Sequence, residues 1–125
     1  MDKSNDMNII DQLAENYREK FGHAPEHIAR APGRVNLLGE HVDYNDGVVL
    51  PAAIDRATYV AFSPTNARRS TLVAADFNQE ASFSPETILS KTQADSSPLP
   101  EWAFYPAGVM WALLEEKLPI LSMNA

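Results

Sequence analysis

The sequence predicts an α+β protein in which a helix, several strands and a second helix follow one another along 125 residues. Two segments, one near each end, carry apolar residues at the spacing of an amphipathic helix. The segments between them are short runs rich in valine, threonine and aromatic residues, which is typical of strands. A chain of this length suits one small domain or a piece of a larger one.

The first predicted helix covers about residues 8–21. Asn5 or Asn8 is suited to cap its start, because an amide oxygen there accepts from the first free backbone N–H groups. Gly22 stands where a left-handed residue commonly ends a helix. The predicted apolar face is formed by Ile10, Leu13, Tyr17 and Phe21.

The first predicted strand covers residues 28–38 and is interrupted by a bulge or turn at Pro32 and Gly33. Proline lacks a backbone donor and glycine permits unusual dihedral angles, so this pair breaks a regular ladder. Pro51 is more tolerable at a strand end or on an edge strand. Further strands are predicted over residues 48–50, 58–62, 71–74 and 81–83.

The second predicted helix begins near Trp102 and ends near Lys117, because Pro119 cannot continue it. A serine- and proline-rich loop precedes it over residues 96–100. Residues 120–125 begin a new apolar run and stop, as expected of a chain cut within a larger protein. The apolar face of this helix is formed by Trp102, Tyr105, Val109 and Leu113.

The composition excludes several classes of function. Ten basic residues against seventeen acidic ones give a net charge of −7, which disfavours binding to nucleic acid or to an anionic membrane. The absence of cysteine excludes disulfides, zinc–thiolate sites, iron–sulfur clusters and thiol nucleophiles. No stretch has the features of a signal peptide or a membrane span, so a cytoplasmic protein is expected.

One polar stretch concentrates groups that bind ligands. Residues 40–47 contain three carboxylates, an imidazole, a phenol and an amide. These groups suit a neutral polyhydroxylated ligand, because carboxylates form strong charge-assisted hydrogen bonds with hydroxyls. The flanking Gly39 and Gly47 would let the backbone approach such a ligand closely. The alternative is a solvated turn, since residues 45–47 have ordinary turn chemistry.

More specific templates do not match this stretch. A calcium loop beginning at Asp43 would require an oxygen ligand at Gly47 and a carboxylate at Ile54. His41 has no second histidine at zinc-protease spacing. The sequence also contains no Walker phosphate loop and no dinucleotide-binding glycine fingerprint.

Residues 32–51, PGRVNLLGEHVDYNDGVVLP, closely resemble the galactokinase signature of the GHMP small-molecule kinases. The one departure is Val42, where the family more often has threonine. The resemblance implies the N-terminal domain of a GHMP kinase, which is ribosomal protein S5 domain 2-like, with a mixed sheet and flanking helices. It also implies that residues 1–125 are a galactose-binding region without the phosphate loop and C-terminal domain.

The same resemblance implies transfer of the ATP γ-phosphoryl group to the anomeric hydroxyl of α-D-galactose, giving galactose 1-phosphate. Residues at Glu40, His41, Val42 and Asp43 would bind the sugar, and Arg34 would stabilise the transition state. ATP and Mg²⁺ are implied by the family, but no residue of this chain is assigned to either. The expected partners are galactose and ATP, with no nucleic acid and no membrane. The sequence does not give the oligomeric state, and a monomer is expected.

The family's serine-rich phosphate loop has no counterpart in this sequence. The pair Ser96 and Ser97 precedes the second helix instead of following it, and Pro98 stands beside the pair. We therefore expect no kinase turnover from the 125 residues alone. Two alternatives remain at this point: a galactose sensor that has lost catalysis, and a sister kinase acting on N-acetylgalactosamine or arabinose.

Overall fold

The computed structural model describes residues 3–39 and 42–125 and confirms an α+β chain with a five-stranded mixed sheet. Short 3₁₀ helices occur at Asp43–Asn45, Ala75–Phe77 and Glu101–Ala103. The helices and strands, in chain order, are α1 (Lys3–Phe21), β1 (His27–Leu38), β2 (Leu50–Pro64), β3 (Ser70–Ala74), β4 (Gln79–Phe83), α2 (Pro85–Ile88), α3 (Phe104–Glu115) and β5 (Met123–Asn124).

The sheet consists of two hairpins joined by the last strand of the chain. Its strand order is β1-β2-β5-β3-β4. Strand β5 is antiparallel to β2 and parallel to β3, and Asn124 lies opposite both Ser63 and Thr71. The hydrogen bond from the Ala125 N–H to the Thr71 carbonyl (2.9 Å) extends this connection. The predicted apolar run at residues 120–125 therefore contains the strand that unites the sheet.

Helix α1 begins earlier than predicted. It starts at Lys3, so the prediction that Asn5 or Asn8 caps it is wrong. No glycine or proline precedes Ile9, and the helix therefore continues through polar residues that the apolar pattern does not mark. The predicted end is confirmed: Gly22 has φ +81°, and its N–H donates to the Arg18 carbonyl at 2.8 Å.

Strands β1 and β2 form a long antiparallel hairpin. The two strands predicted separately over residues 48–50 and 58–62 correspond to one strand, β2. Strand β2 begins at Leu50 and is continuous, so Val48 and Val49 are not strand residues. The predicted irregularity at Pro32 and Gly33 is confirmed as a register shift within a continuous β1. Gly33 stands opposite residues 54–56, so the extra residues belong to β2. A β-carbon at Gly33 would lie 3.0 Å from the Ile54 side chain, and this packing favours glycine there.

The hydrophobic core lies between the β3–β4 hairpin and the helices that follow it. Phe83 on β4 and Ala103 before α3 are fully buried, and the same cluster contains the buried residues Leu72, Ala81, Ile88, Leu99, Ala107 and Met110. Side chains alternate along a strand, so Glu80 faces the other side of the sheet and meets Lys20 of α1 in an ion pair. The sheet therefore has α1 on one face and α3 on the other.

Helix α3 is shorter than predicted at both ends. Trp102 lies in the preceding 3₁₀ helix, and α3 ends at Glu115. Lys117 adopts a left-handed conformation (φ 57°), which ends the helix before Pro119 is reached. Of the helices among the described residues, none is long and apolar enough to span a membrane.

Candidate functional site

The loop after β1 is a tight turn built around Val42. The Val42 carbonyl accepts hydrogen bonds from the N–H groups of Asn45 (3.0 Å) and Gly47 (2.8 Å). Residues Asp43–Asn45 form a 3₁₀ helix, and Asp46 follows with φ 57°. This left-handed conformation is one that aspartate and asparagine tolerate better than most residues, so the turn chemistry predicted for residues 45–47 is confirmed.

The two glycines that flank the loop are needed for contacts within it. Gly39 has φ +87°, and a β-carbon there would lie 2.6 Å from the Val48 carbonyl oxygen. A β-carbon on Gly47 would lie 2.5 Å from the Val42 β-carbon. In the structure both glycines accommodate the chain itself, and the close approach of a ligand to them stays a prediction.

Val42 is the packing centre of this loop. Its half-buried side chain lies within the turn, where added β-carbons at Gly39 and Gly47 would meet it. The sequence contained one sign of this role, which the motif-based analysis missed. Val42 is the only aliphatic residue between those two glycines, and an isolated aliphatic residue in a polar loop is expected to pack inward.

Arg34 is exposed on β1, directly after the register shift at Gly33. Its partner across the hairpin is Ala53, which has a small side chain. Within the described ranges, no hydrogen bond or ion pair holds the Arg34 side chain. A planar cation in this position is accessible to a negatively charged ligand.

The structure describes the other residues predicted for the site less fully. Asp43 is the first residue of the 3₁₀ helix, which fixes the position of its backbone. Glu40 and His41 lie outside the described residues. The grouping of these three side chains with Arg34 around one ligand stays a prediction.

Two concave surfaces lie away from this loop. An apolar groove of about 390 Å³ runs between α2 and α3, and a polar groove of about 320 Å³ lies on the β3–β4 hairpin. Asp95 lines the polar groove. Hydrogen bonds from the Ser97 hydroxyl and backbone N–H hold the pKa of the Asp95 carboxyl below its usual value. Neither groove is lined by Arg34 or by Val42.

Comparison with known proteins bears on this loop directly. Residues 15–64 match the family model of the galactokinase galactose-binding signature. That segment includes the end of α1, the whole of β1 and β2, and the loop between the two strands. The match therefore contains all five residues predicted for the site.

Two curated relatives show the same similarity over most of the chain. A galactokinase from Chloroflexus aurantiacus is 44% identical over 104 residues, which are 83% of this chain and 25% of the relative. A galactokinase from Roseiflexus is 46% identical over 102 residues, which are 82% of this chain and 24% of the relative. The chain thus spans about a quarter of the length of the curated relatives it matches.

A solved structure extends the similarity to the fold. The crystal structure of Lactococcus lactis galactokinase complexed with galactose superposes with a TM-score of 0.72 at 25% sequence identity. The superposition covers 94% of this chain and 31% of the Lactococcus chain. In sequence and in fold, the chain is therefore similar to galactokinases, and its residues 15–64 carry the galactokinase galactose-binding signature.

Proposed function

We propose that the intact gene product containing this chain is a galactokinase. It transfers the γ-phosphoryl group of ATP to the anomeric hydroxyl of α-D-galactose and releases galactose 1-phosphate and ADP. The observation that carries this proposal is the signature match over residues 15–64, which includes Arg34 and the loop centred on Val42. Because the chain spans about a quarter of its relatives, the activity is assigned to the intact product.

The loop after β1 supplies the sugar-binding groups in this proposal. The carboxylates of Glu40 and Asp43 accept hydrogen bonds from sugar hydroxyls, and His41 donates or accepts according to its tautomer. Val42 contributes by holding the turn, since its carbonyl accepts the hydrogen bonds from Asn45 and Gly47. A fixed loop lowers the entropy that must be lost when the sugar binds.

Arg34 acts on the phosphoryl group. The anomeric oxygen bonds to the γ-phosphorus while the bond to the bridging oxygen breaks; the hydroxyl proton passes to a base and the electron pair leaves with ADP. Negative charge spreads over the phosphoryl oxygens during this transfer, and a positioned guanidinium stabilises it. The exposed position of Arg34, beside a small neighbour, supports this role.

The family implies ATP as the phosphoryl donor, and we include Mg²⁺ with it as part of the proposal. Among residues 3–39 and 42–125, no group of three or more histidine, aspartate or glutamate side chains gathers to hold a metal ion. Mg²⁺ in such sites is usually held by one or two carboxylates together with the substrate phosphates, and no residue of this chain is assigned to it. We place the reaction in the cytoplasm, where ATP is available, and a monomer suffices because one chain carries all the proposed sugar-binding residues.

The test is galactose-dependent ADP formation by the purified intact gene product, followed in a coupled assay. Galactose, glucose, arabinose and N-acetylgalactosamine are compared at equal concentrations. We expect turnover with galactose above the other three sugars. Preference for N-acetylgalactosamine or arabinose would identify a sister kinase, and galactose binding without ADP release would identify a sensor.

A further inference from the structure

Asn36 carries a buried acceptor that the fold leaves without a donor. It lies on β1, two residues beyond Arg34, and its side chain is half-buried. The side-chain oxygen Oδ1 is enclosed and has no hydrogen-bond partner among the described residues. Buried amide oxygens in folded proteins are nearly always paired, so an unpaired one calls for an explanation.

The neighbouring strand does not supply the missing donor. The residue opposite Asn36 in the hairpin is Pro51, which has no backbone N–H. An apolar side chain of similar size would therefore avoid the free-energy cost of an unpaired buried oxygen at this position. The presence of an amide here is explained if a bound molecule completes its hydrogen bonding.

The position of Asn36 indicates which bound molecule would complete its hydrogen bonding. Register is regular from Arg34 to Asn36, so these two side chains project from the same face of the hairpin and Val35 from the other. We propose that Asn36 is a further galactose-contacting residue, its amide hydrogen bonding to a sugar hydroxyl beside Arg34. This inference rests on the proposed galactokinase function.

The chemistry of the two groups is compatible with this contact. A sugar hydroxyl both donates and accepts, so it pairs with either end of an amide. The terminal torsion of asparagine is broad and roughly two-fold, so a half-turn exchanges the enclosed oxygen with the amide nitrogen at little cost. The half-buried side chain thus presents the end that the sugar requires.

The experiment compares wild-type intact gene product with Asn36→Leu. Loss of one neutral hydrogen bond corresponds to about twofold to tenfold weaker galactose binding, measured as Kd by titration calorimetry and as KM. The KM for ATP is expected to stay unchanged. Because leucine removes an unpaired oxygen, the Tm of the sugar-free protein is expected to be unchanged or higher.

Asn16→Leu on the exposed face of α1 is the matched control and should keep wild-type galactose affinity. Wild-type affinity in Asn36→Leu would overturn the inference. A lower Tm with unchanged affinity would also overturn it, because the residue would then be structural. If the wild-type protein neither binds nor phosphorylates galactose, the proposed function itself fails and this inference fails with it.

Discussion

A β-carbon added at Gly47 would lie only 2.5 Å from the β-carbon of Val42. The Gly47 N–H also donates to the Val42 carbonyl at 2.8 Å. One residue pair therefore closes the loop after β1 through both a hydrogen bond and a contact that excludes any larger residue. The loop proposed to hold galactose owes its shape to this pair.

Replacing Gly47 with alanine should destabilise the protein by about 1–3 kcal/mol, because the added methyl group overpacks the turn. Gly108→Ala is the matched control. Gly108 lies within α3, a β-carbon there would meet nothing within 4 Å, and alanine should stabilise the helix by about 0.5–1 kcal/mol. Urea denaturation of both variants measures the difference. Equal stability of the two variants would show that the turn has room for a methyl group at residue 47.

Arg34→Ala should lower kcat by about a hundredfold or more, because the guanidinium is proposed to act on charge that develops in the transition state. The Kd for galactose should change far less. The melting temperature should stay near that of the wild type, since Arg34 is exposed and has no partner within the described ranges. A normal kcat would remove Arg34 from the catalytic machinery.

Asp43→Asn tests the sugar-binding role of the loop. The substitution removes a charge while keeping the side-chain size, so galactose binding should weaken by about 1.5–3 kcal/mol, the range for hydrogen bonds to charged groups. Steady-state kinetics with saturating ATP provide the KM for galactose. If that KM matches the wild type, Asp43 does not contact the sugar.

Ser70→Ala should destabilise the fold by about 1–3 kcal/mol. The buried Ser70 hydroxyl accepts from the Met123 N–H at 3.1 Å, and alanine would leave that backbone donor of β5 unpaired. Ser90→Ala is the control, because the Ser90 hydroxyl is exposed and its loss should change stability by at most about 0.5 kcal/mol. If the two variants unfold at the same temperature, the hydrogen bond from the β5 backbone to Ser70 does not stabilise the fold.

The Ser97–Asp95 contact predicts that the free energy of unfolding depends on pH. Hydrogen bonds from the Ser97 hydroxyl and N–H lower the Asp95 pKa in the folded state, so their stabilising effect is present above the unfolded pKa. The effect is lost as the pH falls through the lower, folded pKa. Ser97→Ala should therefore raise the Asp95 pKa and unfold more easily than wild type at neutral pH. The difference should shrink in strong acid to the contribution of the hydrogen bond that the Ser97 hydroxyl accepts from the Gln93 side chain (2.9 Å). A difference of the same size at neutral and acid pH would show that the Asp95 carboxylate does not contribute to it.

Local signals in the sequence predicted the order of the helices and strands, because each of these signals depends only on residues that are neighbours in the chain. Gly22 ends α1 as predicted, since a residue without a β-carbon tolerates positive φ. The break at Gly33 was also predictable from the Pro-Gly pair. The extra residues on β2 were not, because register depends on how two strands pair rather than on either strand alone.

The elements that the sequence analysis did not predict are short. Helix α2 is a single turn at Pro85–Ile88, and β5 is only Met123–Asn124. Neither is long enough to show a hydrophobic period. Strand β5 exists because Ser63 and Thr71, which are distant from it in the chain, flank Asn124 on its two sides.

For the candidate site, the sequence by itself determined which chemical groups are present and, through the signature, which family the chain resembles. Only the tertiary structure decided that Val42 packs inside the loop, that Gly39 and Gly47 accommodate the chain, and that Asn36 faces the same side as Arg34. The physical reason is that residue type fixes the available hydrogen bonds and charge, whereas burial and direction follow from contacts between segments that meet only after folding.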